Sequence, residues 1–578
     1  MSNKLLLVRK LLEKYGINAY LQPVHDEWMS EYPPLCNRRV EWLTGFTGSA
    51  GLAVVTDDKA VIFVDGRYTL QAKEQAGADY EIHNIADYPP EKWLAGNIPA
   101  GKKIGYDPKL YTRTMLKRFE KLSLIPVENL IDALWENRPP PPATPLFIHE
   151  TKYSGESSTS KRSRVVSEIK KANADLLFLS APENVNWLFN IRARDAENTP
   201  LCLASAILDK NGKAYIYLDE DRVSNKVSDH LGNDTEIISP ENIKENLSVF
   251  TGKKILCDSG TTPLFIENLC VDSGLKVINS TDPCELLKAI KNPVELAGMR
   301  AAHIRDGLAV TKLLYWLSRQ SKVSELDVVG KILELRTQNE LFVEPSFDTI
   351  AGSGEHGAIV HYRATKESNR NLGDGELFLL DSGGQYYDGT TDITRTVIIG
   401  NPTDEHKRNF TLVLKGHIAL ACAIFPEGTT GTQLDVLARQ YLWQAGLDYD
   451  HGTGHGVGCF LGVHEGPQRV SKRAGDVLLK SGMILSNEPG YYKTGEYGIR
   501  IENLVAVVEK ITGDNNKKYL GFETITCTPM DVALINISML TSEEKIWINN
   551  YHNWVREELS PYLDADETVW LIKACASL

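Results

Sequence analysis

Residues 377–392 read LFLLDSGGQYYDGTTD, an apolar run followed by a glycine-rich polar stretch. The run Leu377–Leu380 predicts a buried strand, and the glycines after it predict a hairpin that returns towards Asp392. Asp381 and Asp392 would then face each other across adjacent strands. An isolated pair of this kind is more simply interpreted as two solvated hairpin residues. Buried together, however, two carboxylates repel unless a cation compensates them. This segment is therefore a candidate half of a metal site.

Three further residues extend this set, each in a distinctive local sequence. His455 lies in HGTGHGVG, residues 451–458, where four glycines let the backbone bend closely around a site. A lone histidine in such a turn is more often structural than a ligand. Glu488 follows an apolar strand, and Glu502 lies in an alternating segment that puts it on the same face as Arg500. Charged residues are seldom buried unpaired, so a cation again fits best.

Asp381, Asp392, His455, Glu488 and Glu502 together make four carboxylates and one imidazole. This hard, oxygen-rich set suits Mn²⁺, Co²⁺ or similar ions better than a closed, thiolate-rich zinc site. Bridging carboxylates would hold two ions about 3.5 Å apart, the usual spacing in two-metal hydrolases. The sequence therefore predicts metal-assisted hydrolysis.

The composition excludes several other classes of protein. A chain of 578 residues predicts more than one domain, and 42% apolar with 24% charged residues is ordinary for a globular protein. No apolar run approaches the roughly 18 to 20 residues of a membrane span, and the first fifteen residues lack signal-peptide features. Nine scattered cysteines without CxxC pairs argue against a disulfide framework. We expect a cytoplasmic protein that is not membrane-bound.

The charge pattern argues against nucleic acid as a partner. The 63 lysines and arginines against 76 aspartates and glutamates give a net charge of −13. No block of lysine or arginine interrupts this excess, so the electrostatic footprint of a nucleic-acid binder is missing.

Proline and repeated patterns predict three domains, at residues 1–140, 146–285 and 286–578. The segment 138–145, RPPPPATP, cannot form a helix or a central strand and predicts a stiff connector. On either side of it, a helix, a strand, a WL-containing segment and two more strands recur in the same order, about 145 residues apart. This pattern indicates two related α/β domains.

The last domain carries the candidate ligands. Apolar patterning predicts helices over Asp404–Phe425 and Gly431–Ala445 and a strand over Ile499–Val508. The final segment, Ser542–Ala576, predicts a charged helical tail that packs on this domain.

The motifs resemble a known group, the M24 or pita-bread metallopeptidases, and among them the three-domain cytosolic type of Xaa-Pro aminopeptidase. The matching motifs are Gly357–Tyr362, Asp381–Gly383, Asp388–Thr396, His451–Gly458, Val463–Pro467, Glu488–Tyr492, Gly498–Asn503 and, in the N-terminal half, Gly45–Gly51 and Asp65–Tyr68. The resemblance implies an α/β (α+β) chain in which two creatinase-like N-terminal α/β domains precede a pita-bread metallopeptidase domain.

In this family the five residues correspond to the ligands of a dinuclear site, with Asp392 and Glu502 bridging. The resemblance implies two divalent metal ions per subunit, Mn²⁺ first, with Co²⁺ and Zn²⁺ as alternatives. It makes Glu488 the general base for a metal-bridging water, and it places His361 and His464 as catalytic residues beside the scissile carbonyl. The alternative for the two histidines is an ordinary core or surface imidazole.

The resemblance also implies that His451, His455, His361 and His464 line the substrate pocket. Tyr492 and Arg500 would lie beside the metals, although Arg500 could equally be a structural partner of a carboxylate. Arg67, in the first domain, would reach the substrate. Its alternative is a solvated turn in Asp-Gly-Arg-Tyr.

The implied reaction removes the N-terminal residue from peptides with proline in the second position. A dipeptide-restricted prolidase is the alternative, and its usual single N-terminal domain distinguishes it. A methionine aminopeptidase usually lacks both N-terminal domains, and a non-catalytic peptide-binding protein of the same fold would not need the intact ligand set. The resemblance suggests a homodimer. Asn487 and the sequence after Pro529 depart from the family pattern, which leaves tail-mediated dimerisation open.

Overall fold

The computed structural model describes residues 3–473, 475–512 and 516–578. It divides into two compact units. The first contains the chain up to Glu150 together with Glu156–Glu285, and the second contains Thr151–Gly155 together with Leu286–Leu578. Among the described residues, no helix combines the length and the apolar character that crossing a membrane requires.

The first unit begins with a six-stranded sheet whose strand order is β4-β3-β2-β1-β5-β6. Its elements are α1 (Asn3–Tyr15), β1 (Ala19–Pro23), α2 (Arg39–Thr44), β2 (Gly51–Thr56), β3 (Ala60–Val64), α3 (Thr69–Gln75), β4 (Glu81–Asn84), α4 (Pro90–Asn97), β5 (Lys103–Tyr106), α5 (Arg113–Leu116) and β6 (Ser123–Pro126). Strands β1 and β3 are buried along their whole length, because apolar side chains pack on both faces of the sheet. The segment 138–145 forms neither helix nor strand, as predicted.

The second half of this unit repeats the arrangement. Its elements are β7 (Phe147–Ile148), α7 (Ser158–Lys171), β8 (Leu176–Leu179), α8 (Pro182–Phe189), β9 (Ile191–Arg192), β10 (Ser205–Asp209), β11 (Ala214–Tyr217), α9 (Asn225–Leu231), β12 (Thr235–Ile238), α10 (Ile243–Ser248), β13 (Lys254–Cys257), α11 (Leu264–Asp272) and β14 (Lys276–Asn279), with α6 (Thr151–Ser154) belonging to the second unit. The sheet order β12-β11-β10-β8-β13-β14 matches the first sheet strand for strand. The pairing directions match as well, which confirms the predicted repeat.

The second unit carries small antiparallel sheets and long helices. The division of the chain into units falls within α12 (Pro283–Ala289). The elements that follow are α13 (Pro293–Ser318), α14 (Glu325–Thr337), β15 (Phe342–Pro345), β16 (Ile350–Ser353), β17 (Leu377–Ser382), β18 (Gly384–Tyr386), β19 (Gly389–Thr390), β20 (Ile393–Ile398), α15 (Asp404–Ala421), β21 (Ile424–Pro426), α16 (Gly431–Gln444), β22 (Gly454–His455), β23 (Arg469–Val470), β24 (Ile484–Asn487), β25 (Gly490–Lys493), β26 (Tyr497–Arg500), β27 (Asn503–Thr512), β28 (Lys518–Thr524), α17 (Ser542–Leu559) and α18 (Ala565–Ala574). Asn292 and Glu295 form a capping box at the start of α13, where Pro293 fixes the first turn. Helix α17 packs into the core of this unit through Ile548 and Val555, which confirms the predicted packing of the tail.

Two predicted elements differ from those observed. The helix predicted over Asp404–Phe425 ends at Ala421, because Ile424–Pro426 leaves it to pair with β28. The strand predicted over Ile499–Val508 is interrupted at Ile501 and Glu502, and its two parts pair with different partners, β25 and β24. In both cases a long-range strand pairing outweighs the local pattern.

Candidate metal centre

Asp381 lies on β17, and Asp392 lies directly before the neighbouring antiparallel strand β20, in agreement with the predicted return of the chain. Strands β17 and β20 are antiparallel, with Asp381 opposite Thr394 and Ser382 opposite Ile393. Asp392 directly precedes β20, and the segment between them folds into the small β18–β19 pair. Asp381 is 8% exposed and Asp392 is 4% exposed, so both carboxylates are buried.

His455 and Glu488 approach this pair from two other strands. His455 ends β22, and Glu488 follows β24. The hydroxyl of Ser486 links them, because Ser486 Oγ accepts from His455 N at 2.9 Å and donates to Glu488 Oε1 at 3.3 Å. His455 Nε2 lies 3.5 Å from Asp392 Oδ2 and 3.6 Å from Glu488 Oε1. The imidazole therefore stands between carboxylates.

Glu502 completes the set from the interruption between β26 and β27. Its Oε2 accepts a 2.7 Å hydrogen bond from Thr394 Oγ1, and its N–H donates to Thr394 O at 3.2 Å. Asp392, His455 and Glu502 each offer one ligand atom, and these atoms all lie within 4.8 Å of one another. The break in the strand thus aims Glu502 at the centre.

Burial and mutual repulsion raise the pKa values of three carboxyl groups, those of Asp381, Glu488 and Glu502. Burial raises the pKa of Asp381 to about 7, although the Arg500 guanidinium opposes the shift. Burial, followed by the charges of Asp392 and Glu488, raises the pKa of Glu502 well above its ordinary value. Burial also raises the pKa of Glu488. The protein alone therefore disfavours the charged state of this cluster.

Two oxygens of the cluster lack a hydrogen-bond partner among the described residues. They are Asp381 Oδ1 and Glu502 Oε1, both buried. Buried carboxylate oxygens without donors are costly, and divalent cations are the usual partners of such oxygens. The donor set, the repulsion and the two orphaned oxygens all fit a site for divalent metal ions.

His455 is oriented as a metal ligand would be. Its Nδ1 lies 3.0 Å from Gly456 O, so an N–H at this position can donate to the carbonyl and leave Nε2 facing the carboxylates. Burial lowers the pKa of His455, but the hydrogen bond to Asp392 and the charge of Glu488 outweigh it and raise the pKa to about 9. A bound cation would take the place of the proton on Nε2.

Arg500 is a direct partner of Asp381. Its Nη2 lies 2.6 Å from Asp381 Oδ2, and its Nη1 donates to Tyr492 OH at 2.6 Å. His451 Nε2 lies 2.9 Å from the same hydroxyl. Three predicted substrate-binding residues thus form one chain that ends at a candidate ligand. A direct contact of any of them with substrate stays a prediction.

The two predicted catalytic histidines lie beside this chain and this cluster. The ring of His464 stands edge-on to that of His455 at 4.3 Å between centroids. His361 is half-buried and follows Val360, whose carbonyl accepts a 3.4 Å hydrogen bond from Arg500 Nη2. The predicted catalytic roles of both histidines stay predictions.

Arg67 belongs to the first unit, where it forms a forked ion pair with Asp65. Its Nη2 lies 2.7 Å from Asp65 Oδ2, and its Nε donates to Asp65 Oδ1 at 3.0 Å. Its guanidinium also lies 5.2 Å from the ring centroid of Tyr68. These contacts tie Arg67 to its own turn, and its predicted contact with substrate stays untested.

Three residues that hydrogen-bond to the candidate ligands or next to them were not predicted from the sequence. Thr394 and Ser486 hold Glu502 and Glu488 as described above, and Asp306 hydrogen-bonds Thr391, next to Asp392, at 2.6 Å. Period-two alternation from Asp392 could have found Thr394, because residues two apart on a strand share a face. Asp306 lies on α13, where the sequence offers no comparable indication.

Comparisons with known proteins agree with this geometry. A model described as metallopeptidase family M24 matches residues 297–509, and models of the creatinase/prolidase N-terminal domain match residues 5–134 and 137–295. The C-terminal region of peptidase M24 matches residues 518–578. A protein of Neurospora crassa named probable Xaa-Pro aminopeptidase P is 39% identical over 605 residues, covering 99% of this chain and 88% of the relative.

The chain belongs to metallopeptidase family M24. It is a hydrolase, and the prediction of two creatinase-like α/β domains followed by a pita-bread metallopeptidase domain is confirmed. Among solved structures, X-prolyl aminopeptidase of Caenorhabditis elegans is 33% identical, with a TM-score of 0.95 over 100% of this chain and 99% of that one. That protein is described as a cytosolic enzyme with a di-nuclear active site.

A second solved structure, of lower sequence identity, resembles this chain in fold alone. Prolidase from Pyrococcus furiosus is 24% identical, with a TM-score of 0.51, and the match covers 63% of this chain and 99% of that one. At this level of identity the likeness concerns the fold. The part of this chain beyond that match aligns with the Xaa-Pro aminopeptidase of Neurospora crassa, which covers 99% of the chain.

Proposed function

We propose that this M24 enzyme hydrolyses the bond between the first residue of a peptide and a proline in the second position. The observation that carries the proposal is the convergence of Asp381, Asp392, His455, Glu488 and Glu502 in a chain that aligns with an Xaa-Pro aminopeptidase over 99% of its length. These five side chains would hold two divalent cations. We propose Mn²⁺ for both, with Co²⁺ and Zn²⁺ as alternatives.

When bound, the cations would polarise the substrate carbonyl and lower the pKa of water, so that hydroxide forms near neutral pH. Glu488 would act as general base and carry the proton. Its Oε1 accepts a hydrogen bond from Ser486 Oγ, which keeps the carboxylate turned towards His455. Its raised pKa suits a group that takes a proton from water and passes it to the departing proline nitrogen.

Histidines would stabilise the carbonyl oxygen as it gains negative charge. His464, packed against His455, and His361, beside the Arg500 contact, are the proposed donors. We further propose that His451, Tyr492, Arg500 and Arg67 take part in binding the peptide. The scissile X-Pro bond is a tertiary amide without N–H, so the pocket would select a rigid ring rather than an amide donor.

A substrate panel that varies only the second residue tests the specificity. With Mn²⁺ present, peptides with proline in the second position should be cleaved and matched peptides with alanine should not. Equal cleavage of both would reject proline selectivity while leaving metal-dependent aminopeptidase activity intact.

Peptide length separates an aminopeptidase from a dipeptide-restricted prolidase. Alignment with the aminopeptidase over nearly the whole chain, against 63% with the prolidase, favours the first. The aminopeptidase should cleave Arg-Pro-Pro. Cleavage of Ala-Pro combined with failure on the tripeptide would support the prolidase.

Glu488→Ala tests the proposed base. The variant should lose turnover by several orders of magnitude, since it removes a proton carrier and a ligand together. Glu488→Gln is the matched control, because it keeps the shape and loses the charge. Bound metal should be counted in both variants by mass spectrometry, and wild-type turnover in either one would refute the role of Glu488.

Three broader proposals accompany the activity. The nematode enzyme is described as cytosolic, and we propose a cytoplasmic location and a homodimer for this chain. We also propose that the domains span residues 1–140, 146–285 and 286–578. Light scattering of the purified chain measures the assembly, and limited proteolysis near the proline-rich segment 138–145 tests the first boundary.

A further inference from the structure

A buried group of three charges lies behind the loop that carries His464. Glu465 Oε2 lies 2.8 Å from Lys288 Nζ, and Glu465 Oε1 lies 3.0 Å from Lys291 Nζ. The side chains are 1% exposed for Glu465, 4% for Lys288 and 1% for Lys291. Lys291 Nζ also donates to Lys288 O at 3.1 Å, which ties the two lysines together.

Stability alone is a poor explanation for this group. Burying three charges costs desolvation energy that their attraction repays only in part, and apolar side chains of similar volume often serve a core as well. Burial raises the pKa of Glu465, but Lys288 and Lys291 outweigh it and keep the pKa below its ordinary value. The carboxylate therefore stays ionised and directional. An ionised side chain held in this way fixes the position of the backbone at Glu465.

The backbone of Glu465 is hydrogen-bonded to the segment that carries His455. Its N–H donates to Gly456 O at 2.8 Å. The same carbonyl lies 3.0 Å from His455 Nδ1. Glu465 thus shares its acceptor with the imidazole whose other nitrogen faces the carboxylate cluster.

The glycines next to His455 leave room for Glu465. A Cβ at Gly456 would lie 2.1 Å from Glu465 O, and a Cβ at Gly458 would lie 2.8 Å from Glu465 Oε2. Two glycines of the HGTGHGVG motif are therefore needed where the chain passes over this residue. The glycines of this motif therefore accommodate Glu465 as well as the backbone next to His455.

We propose that Glu465, held by Lys288 and Lys291, is a positioning residue that fixes the imidazole of His464 beside His455. His464 directly precedes Glu465, and its ring stands 4.3 Å from that of His455 at an interplanar angle of 74°. Glu465 itself faces the lysines and acts through its neighbour. The inference rests on the proposed role of His464 in turnover.

A double-mutant cycle tests the coupling in the full-length, Mn²⁺-loaded enzyme. Glu465→Gln keeps the volume and should lower kcat on the order of 10- to 100-fold, because the His464 ring loses its fixed place. His464→Ala should also lower kcat. In the His464→Ala background, Glu465→Gln should then change kcat less than about threefold.

A second variant covers the case in which Glu465→Gln folds poorly. Lys291→Met leaves Glu465 ion-paired with Lys288 and should give a smaller loss of kcat that also vanishes in the His464→Ala background. The matched control is Asp195→Asn, which breaks the buried Asp195–Arg222 pair of the first unit, 2.6 Å long with 0% and 6% exposure. It should lower stability and leave kcat unchanged.

The possible outcomes separate the two proposals. A normal kcat for His464→Ala would remove the proposed role of His464, and the positioning inference with it. A reduced kcat for His464→Ala with additive losses in the cycle would overturn the inference alone. Loss of bound metal in Glu465→Gln, with unchanged kcat per metal-loaded site, would also overturn it.

Discussion

Thr391 donates a 2.6 Å hydrogen bond from Oγ1 to Asp306 Oδ2. Asp306 is completely buried on α13 and also accepts from Arg336 Nε at 2.6 Å. Arg336 in turn contacts the hydroxyl of Ser382. One buried ion pair therefore holds the residue before Asp392 and the residue after Asp381. The geometry of both candidate metal-binding aspartates depends on it.

We expect Asp306→Asn to destabilise the protein by about 3–5 kcal/mol, since it leaves the Arg336 guanidinium buried without its counter-charge. Metal affinity should fall roughly 10- to 100-fold, because the ligand strands lose their support. Urea denaturation and Mn²⁺ titration measure the two effects. The double variant Asp306→Asn/Arg336→Met should recover part of the stability, and failure to do so would contradict this account of the pair.

Arg395 supports Glu502 in a similar way from the other side of the sheet. Its Nη1 donates to Glu502 O at 2.6 Å, and its Nη2 donates to Thr528 O at 2.8 Å and to Tyr551 OH at 2.9 Å. The guanidinium thus ties a candidate ligand to the chain after β28 and to α17. Arg395 is thus one structural link between the C-terminal tail and the candidate metal centre.

Arg395→Lys should cost about 2–4 kcal/mol, because one ammonium cannot serve the several carbonyls that the guanidinium fork reaches. The matched control is Arg300→Lys. Arg300 pairs with Glu523 at 2.7 Å, but the two side chains are 41% and 36% exposed, and a pair so exposed is worth about 1 kcal/mol or less. Equal losses in the two variants, measured by urea denaturation, would reject the special role of Arg395.

Much of this arrangement could be predicted from local sequence. The apolar run before Asp381 and the glycines after it predict the β17–β20 hairpin, because alternation and turn chemistry act over a few residues. The repeated order of helix and strands predicts the two matching sheets. The family resemblance then predicts a role for each candidate ligand.

The supporting residues could not be predicted in this way. Asp306 and Thr391 are 85 residues apart, and an aspartate in a helix is most often solvated. The interruption of the strand at Ile501 and Glu502 arises from pairing with β25 and β24, which only the folded chain reveals. Local patterns fix which residues can be ligands, whereas long-range contacts fix their geometry.

Arg500 should control the pH at which the site takes up metal. The guanidinium lowers the pKa of Asp381 against the effect of burial, which raises it to about 7. Arg500→Met would let the pKa rise further, so that deprotonation and Mn²⁺ binding need a higher pH. Calorimetric Mn²⁺ titrations at about pH 6 and about pH 8 should show a larger gain in affinity with pH for the variant. If the variant and the wild type differ in Mn²⁺ affinity by the same factor at both pH values, this role of Arg500 is contradicted.

Two groups of the metal centre make the metal-free protein sensitive to alkaline pH. The pKa of Asp381 is raised from 3.8 to about 7, and that of His455 from 6.5 to about 9. Between the unfolded and folded values the native state binds more protons, so the free energy of unfolding falls as pH rises. Burial lowers the pKa of His417 to about 3 and that of His552 to about 4, which acts in the opposite sense but only below 6.5.

In the window from about pH 6.5 to about pH 9 these two histidines no longer contribute. The candidate metal centre then lowers the stability as pH rises, in the same sense as the buried thiol of Cys202, whose pKa is raised to about 12. Over this window, we expect the free energy of unfolding of chelator-treated protein to fall steadily. With saturating Mn²⁺ the fall should be much smaller, because the cation holds both groups deprotonated and also stabilises the folded state by mass action. Urea denaturation across the window measures this difference. In metal-free Asp381→Asn, the free energy of unfolding should fall less steeply near the low-pH end of the window. A metal-free wild type that gains stability over the window would contradict the prediction.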